Sequence, residues 1–176
     1  ASDLPQALIV ARRNETTDTS PSGPGDDSDS SGDAYALSEA QQQLLLLCKF
    51  NKDASRAYNI SLSLDLDGEL NQPALKRAVN ALVQRHDSLR TVFPEDAEGN
   101  CLQQQVLAFC AADITFIDFR IQFARDPATF HDWYERYSSE SFDLVQGPLF
   151  KVRVVQLTDQ RYQLILSAHH LIIDGM

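Results

Sequence analysis

The chain has 176 residues, of which 43% are hydrophobic, and its 15 basic and 25 acidic side chains give a formal net charge of −10. This length and apolar content are enough for one domain with its own core. The negative charge argues against nucleic acid or an anionic membrane as a partner, because both bind basic patches. No apolar run reaches the length of a membrane span. The three cysteines lack metal or redox spacing, which predicts free thiols in a reducing compartment, the cytoplasm.

The N-terminal region differs in composition from the rest of the chain. Residues 14–34 consist almost wholly of Ser, Thr, Asp, Gly and Pro. Such a segment cannot bury enough apolar surface to offset its ordering entropy, so we predict a disordered acidic linker. Residues 1–13 contain a short apolar run, which we interpret as the end of an upstream module, the alternative being a plain disordered tail. The globular part is predicted to span residues 35–176.

The first half of the globular part alternates between helix and strand signals. Ser38 is a helix cap for residues 39–50, where a run of four leucines predicts a buried helix. Strict apolar–polar alternation over residues 58–67 predicts a half-buried strand. An apolar stripe at helical spacing, with Asn before it and Pro in its first turn, predicts a helix over residues 71–87. Residues 88–93 are predicted to be a strand that ends before a proline.

The second half is richer in strand signals. Strands are predicted over residues 101–109 and 114–119, and a helix over residues 127–139. Residues 149–157 and 161–169 are two apolar strands joined by a short polar turn, which predicts a hairpin. This order of elements favours a mixed α/β (α+β) layer rather than a strictly parallel winding.

The end of the last predicted strand carries the residues best suited to chemistry. His169 and His170 follow an apolar run, and Asp174 and Gly175 come after two isoleucines. Side chains alternate along a strand, so the two histidines are expected to do different jobs, one facing a cleft and one held in packing. Histidine exchanges protons near neutral pH, and glycine lets the backbone approach a ligand closely. Adjacent histidines on opposite faces make a poor metal site, so no metal is expected.

A second polar group lies between the predicted helix 71–87 and the strand after it. Arg90 is expected among strand residues with its side chain inward, where it needs an anion, and Asp174 is the candidate. Arg85 and His86 either support the site or form a solvated helix end, and the sequence leaves this choice open.

Four stretches then resemble the nonribosomal peptide synthetase condensation domain, a family of the chloramphenicol acetyltransferase-like superfamily. Residues 38–41 match S-x-A-Q, residues 85–93 match R-H-E-x-L-R-T-x-F with Asp in place of Glu, and residues 169–175 match H-H-x-x-x-D-G. Residues 142–150 fit the family's F-D-L and G-P-L stretch. The first motif departs at Gln43 and Leu45, where the family has arginine and an aromatic residue. The matched stretches correspond to the N-terminal half of a two-lobe domain.

The resemblance implies amide-bond formation between two carrier-bound substrates. It implies no directly bound cofactor, since both substrates arrive on phosphopantetheine arms of upstream and downstream carrier proteins within a megasynthase. His170 is then the key catalytic residue, as general base or as a group that orients the amine, with His169 in support. Asp174 is implied to be structural, and Gly175 to let the backbone approach the arm. Arg90, chosen as the partner of Asp174, and Arg85 remain expectations of support for the site.

Two alternatives remain at this point. One is a coenzyme A-dependent acyltransferase of the same superfamily. The other is a non-catalytic lobe that docks carrier proteins or recruits other enzymes. The fragment itself is expected to be inactive in isolation, because the resemblance places half of the substrate tunnel in a second lobe.

Overall fold

A computed structural model describes residues 32–101 and 103–173, with only the backbone described for residues 52–54. The predicted segment 1–13 and most of the predicted linker lie outside the described residues. Two predicted site residues, Asp174 and Gly175, also lie outside them.

The described residues form short helices and strands in a mixed order. In chain order they are β1 (Ala34–Ala36), α1 (Glu39–Phe50), α2 (Lys52–Ala57), β2 (Asn59–Asp67), α3 (Gln72–Arg85), a 3-10 helix (Asp87–Arg90), β3 (Thr91–Val92), β4 (Gln103–Val106), β5 (Asp113–Asp118), α4 (Arg120–Arg125), α5 (Ala128–Ser138), β6 (Phe150–Thr158) and β7 (Arg161–His169). Strand β1 begins at Ala34, the last residue of the predicted linker.

The strands form two sheets. The larger sheet has the order β2-β7-β6-β5, and the smaller has the order β1-β4-β3. Strands β5 and β6 are parallel, whereas every other described pair is antiparallel. The predicted mixed α/β class is therefore confirmed.

The hairpin of β6 and β7 forms the centre of the larger sheet. Its register places Val152 opposite Leu166 and Val154 opposite Leu164, and a turn at residues 159–160 joins the strands. Val152 and Ile165 have no solvent exposure, so both faces of the hairpin are covered. The predicted hairpin is confirmed, and its apolar composition is that of a strand pair buried on both sides.

Each face of the larger sheet packs against its own core cluster. The first cluster joins Val152 and Val154 to Val79 and Val83 of α3. The second joins aromatic residues of α5 and of the segment before α4 to the opposite face of β6 and β7; its buried members are Phe119, Tyr137, Val155, Leu157 and Ile165. His169, the last residue of β7, therefore lies at the end of a strand that is packed on both faces.

The predicted strand over residues 88–93 is wrong in its first half. Asp87–Arg90 form a 3-10 helix, and only Thr91–Val92 pair with β4. The Thr91 hydroxyl donates a hydrogen bond to the Asp87 carbonyl at 2.8 Å, which closes this turn. Leu89 and Phe93 are both buried, at a spacing that strict alternation also allows. The short apolar run was therefore ambiguous between the two structures.

Helix α1 has the predicted bounds but not the predicted burial. Ser38 caps it in a reciprocal capping box with Gln41. Cys48 is buried, whereas Leu46, Leu47 and Phe50 are 56%, 51% and 82% exposed. One face of α1 therefore packs on the core, and its opposite face is apolar and uncovered by the described residues.

Candidate active site at the end of β7

The backbone around the two histidines is fixed by hydrogen bonds from neighbouring segments. The His169 N–H donates to the Leu149 carbonyl at 3.0 Å, and the His170 N–H donates to the Tyr58 carbonyl at 2.9 Å. The chain then turns, and the Ile172 N–H donates back to the His169 carbonyl at 3.1 Å. His170 thus lies in the first residue of a turn rather than on the strand.

His169 is enclosed, and its ring is held at both nitrogens. Its side chain has no solvent exposure, and its Nδ1 accepts a hydrogen bond from the Leu171 N–H at 3.2 Å. A neutral ring that accepts at Nδ1 carries its proton on Nε2, which lies 3.4 Å from the Ser55 hydroxyl and 4.0 Å from the Cys48 sulfur. Burial, with a smaller contribution from His170, lowers the pKa of His169 to about 4. The ring is therefore neutral near pH 7 and acts in packing.

His170 has a different environment. Its side chain is half-buried, and its ring meets the Tyr58 ring edge-on, with centroids 6.4 Å apart. The strand end therefore presents one enclosed imidazole and one accessible imidazole side by side. Only the accessible ring can reach a substrate without unpacking the core.

No described contact joins the predicted arginines to the histidines. Arg90 is only 16% exposed and pairs with the 65% exposed carboxylate of Asp87. Its guanidinium also donates to the Leu107 carbonyl, and its Nε is buried with no partner among the described residues. Asp87 thus supplies the anion that was expected from Asp174. Because Asp174 lies outside the described residues, its pairing with Arg90 stays a prediction. Arg85 is exposed at the end of α3.

A large cavity is lined by residues that contact the enclosed histidine, although His169 itself does not line it. Its volume is about 910 Å³, and its walls include Cys48 and Ser55, the two side chains next to His169 Nε2. The apolar part of the wall comes from Leu45, Leu46 and Phe93, among others. The cavity therefore lies on the His169 side of the strand end, behind the residues that hold the ring.

Several residues of this region could not be identified from the sequence. Ser55, Cys48 and Tyr58 contact the histidines, although none is close to them in sequence. Gln41 was identified only as part of a motif, yet its side chain donates to the Leu171 carbonyl directly after His170. The matched S-x-A-Q motif was the one available signal for this contact.

The chemistry of the described residues limits what else the region can hold. Within residues 32–101 and 103–173, no group of three His, Cys, Asp or Glu side chains is arranged to hold a metal ion. Burial raises the pKa of the Cys48 thiol, so this thiol is less readily ionised than an exposed one.

None of the helices in the described ranges is long and apolar enough to span a membrane.

Comparison with known proteins identifies the family. The family model described as Condensation domain matches residues 31–176. The chain belongs to the condensation-domain family and represents the N-terminal part of the domain. The resemblance inferred from the motifs is thereby confirmed, and condensation domains are amide-bond-forming acyltransferases.

Individual relatives agree with this assignment. Chondramide synthase cmdD of Chondromyces crocatus is 33% identical over 144 residues, which cover 81% of this chain and 4% of that synthase. Bacitracin synthase 1 of Bacillus licheniformis is 30% identical over 151 residues, 81% of this chain and 3% of that synthase. The chain thus spans a small fraction of these relatives.

A solved structure has the same fold. The starter condensation domain of rhizomide synthetase RzmA matches with a TM-score of 0.71 and 25% identity, over 82% of this chain and 34% of that domain. A double mutant of that domain has been solved in complex with C8-CoA.

Proposed function

We propose that the complete domain containing this chain joins a carrier-bound acyl thioester to the amine of a carrier-bound acceptor, and that His170 is its catalytic residue. The observation that supports this proposal is the unequal environment of the two histidines. His169 is neutral and enclosed, whereas His170 is accessible beside it. Such an arrangement fixes the backbone through one ring and leaves the other for substrate.

The reaction requires positioning and the removal of one proton. The acceptor amine attacks the thioester carbonyl, a C–N bond forms, the C–S bond breaks, and the phosphopantetheine thiolate leaves. The His170 ring accepts the ammonium proton or holds the amine in its attacking position, and the leaving thiolate takes up a proton. The backbone of Gly175 lies close to the pantetheine arm in this proposal, and Asp174 has a structural role as the partner of Arg90.

The partners follow from the same proposal. Upstream and downstream carrier proteins deliver both substrates on phosphopantetheine arms, and the domain itself binds no cofactor. The domain acts within a cytoplasmic megasynthase, and residues 14–34 tether it to the preceding module. Residues 1–176 alone are inactive, since the chain corresponds to 34% of the matched condensation-domain structure.

The test is amide formation by the complete domain with loaded donor and acceptor carriers, followed as the acceptor's mass by intact-protein mass spectrometry. We expect product with the wild type and its loss with His170→Ala. His131→Ala is the matched control, because His131 is an exposed histidine on α5 and lies outside the matched motifs. Full activity of His170→Ala would contradict the assignment of this residue.

A second candidate function is acyl transfer from coenzyme A, which the C8-CoA complex of the RzmA double mutant favours. A parallel reaction supplies acyl-coenzyme A in place of the donor carrier. Product formed only from the coenzyme A thioester would identify this alternative. The absence of product with several donors of both kinds would favour a docking lobe instead.

A further inference from the structure

The Gln41 side chain connects three segments of the fold. Its Oε1 accepts a hydrogen bond from the Ser38 N–H at 2.9 Å. Its Nε2 donates to Gln104 Oε1 of β4 at 3.0 Å and to the Leu171 carbonyl at 3.3 Å. The start of α1, the smaller sheet and the turn after His170 are therefore joined through one amide.

The orientation of this amide is fixed by its partners. The Ser38 N–H can only donate and the Leu171 carbonyl can only accept, so a reversed amide would face donor to donor and acceptor to acceptor. Gln104 is held in turn, because its own Nε2 donates to the Ala36 carbonyl at 3.2 Å. A donor at Gln41 therefore points at the Leu171 carbonyl.

The contact with Leu171 is the second of two hydrogen bonds that hold the backbone on either side of the His170 side chain. On one side, the Tyr58 carbonyl accepts from the His170 N–H at 2.9 Å. On the other side, the carbonyl of the next residue is bound by Gln41. The two bonds come from different parts of the chain and hold the backbone before and after the accessible imidazole.

We propose that Gln41 is a positioning residue that sets the direction of the His170 side chain through the Leu171 carbonyl. The inference rests on the proposed function and adds a role for Gln41 beyond its part in the capping box of α1. A small error in the position of a reacting group costs a large factor in rate, so this bond matters more for catalysis than for stability.

The variant Gln41→Glu distinguishes an effect on catalysis from an effect on stability. A glutamate keeps an oxygen for the Ser38 N–H, so the capping box is retained. The same change removes the donor to both Gln104 Oε1 and the Leu171 carbonyl, and places a carboxylate against these two oxygens. Gln42→Glu is the matched control, because the neighbouring Gln42 Nε2 donates to the Leu37 carbonyl at 3.2 Å and not to the turn.

Both variants are made in the complete domain and compared with the wild type in two measurements. We expect Gln41→Glu to slow amide formation at saturating carriers by about tenfold or more, with little change in the carrier KM, and Gln42→Glu to stay near the wild-type rate. We also expect the His170 ring signals in a ¹H–¹³C NMR spectrum to shift in Gln41→Glu and not in Gln42→Glu. Gln41→Asn replaces Gln41→Glu in both measurements if the latter does not fold.

The outcomes distinguish this inference from the proposed function. Unchanged His170 signals in the Gln41 variant would overturn the inference, whether or not the rate falls. A wild-type rate with shifted signals would overturn it too, since the displacement would then not affect catalysis. If the wild type forms no amide, the proposed function fails, and the NMR comparison still decides whether Gln41 positions His170.

Discussion

The enclosed His169 ring makes the stability of the domain depend on pH. Burial lowers its pKa in the folded state to about 4, whereas an unfolded chain has the ordinary value of 6.5. The unfolded state therefore binds a proton at higher pH than the folded state, and stability falls as pH decreases from 6.5 towards 4. Each tenfold difference in proton affinity is worth about 1.4 kcal/mol, so the full effect is about 3 kcal/mol.

Chemical denaturation of the complete domain tests this prediction. Lowering the pH from 7.5 to 5 should remove about 2 kcal/mol from the free energy of unfolding through His169 alone. Carboxylates and other histidines also titrate, so the quantity to compare is the difference between the wild type and His169→Gln. That variant loses the titrating group, and its disadvantage relative to the wild type should shrink by about 2 kcal/mol at pH 5.

His131→Gln is the control substitution, made at an exposed histidine of α5. An NMR titration of the His169 ring gives the folded-state pKa directly. A difference between the wild type and His169→Gln that is equal at pH 7.5 and pH 5 would refute the reasoning. It would mean that the ring is protonated within the fold, with Ser55 or another group compensating for its burial.

Two further predictions concern packing and the arginine pair. Ile165→Ala, at a position with no exposure, should lower the free energy of unfolding by about 2–5 kcal/mol in denaturant unfolding. Leu64→Ala, at a position with 41% exposure, should lower it by clearly less. Equal losses would show that other parts of the domain cover β2 fully. The buried Nε of Arg90 has no partner among the described residues. A double-mutant cycle of Arg90→Met with Asp174→Asn should therefore give a larger coupling energy than a cycle of Arg90→Met with Asp87→Asn. The reason is that Asp87 is 65% exposed, and exposed pairs couple by less than about 1 kcal/mol. The opposite order would remove Asp174 as a partner of Arg90.

The elements with a single strong pattern were predicted well from the sequence. Helix α3 begins after the predicted cap, since the Asn71 side chain accepts from the Ala74 N–H at 3.0 Å. Strand β2 forms over Asn59–Asp67 as predicted, but the predicted half-burial is wrong among the described residues, since Ile60, Leu62 and Leu64 are 39%, 49% and 41% exposed. For α3 the local pattern and the tertiary packing favour the same structure, whereas for β2 the pattern indicates the strand but not which of its side chains are covered.

Short segments were missed for a physical reason. Helices α2 and α4 have six residues each, which is too short for a periodic apolar stripe to be recognised. Strand β1 has three residues and depends on its pairing with β4. Such elements are stabilised by tertiary contacts more than by their own sequences, so a local pattern does not reveal them.

The histidine site depends both on residues next to each other in sequence and on residues far apart, and only the former could be predicted from the sequence. The motif itself predicted that His169 and His170 would have different surroundings, and they do. The groups that hold them are far away in sequence, since Ser55 is 114 residues from His169 and Gln41 is 130 residues from Leu171. A strand end with two histidines is therefore not a site by itself. The distant bonds determine which imidazole is enclosed and in which direction the other one points, so the first motif and the last motif act as one structural unit.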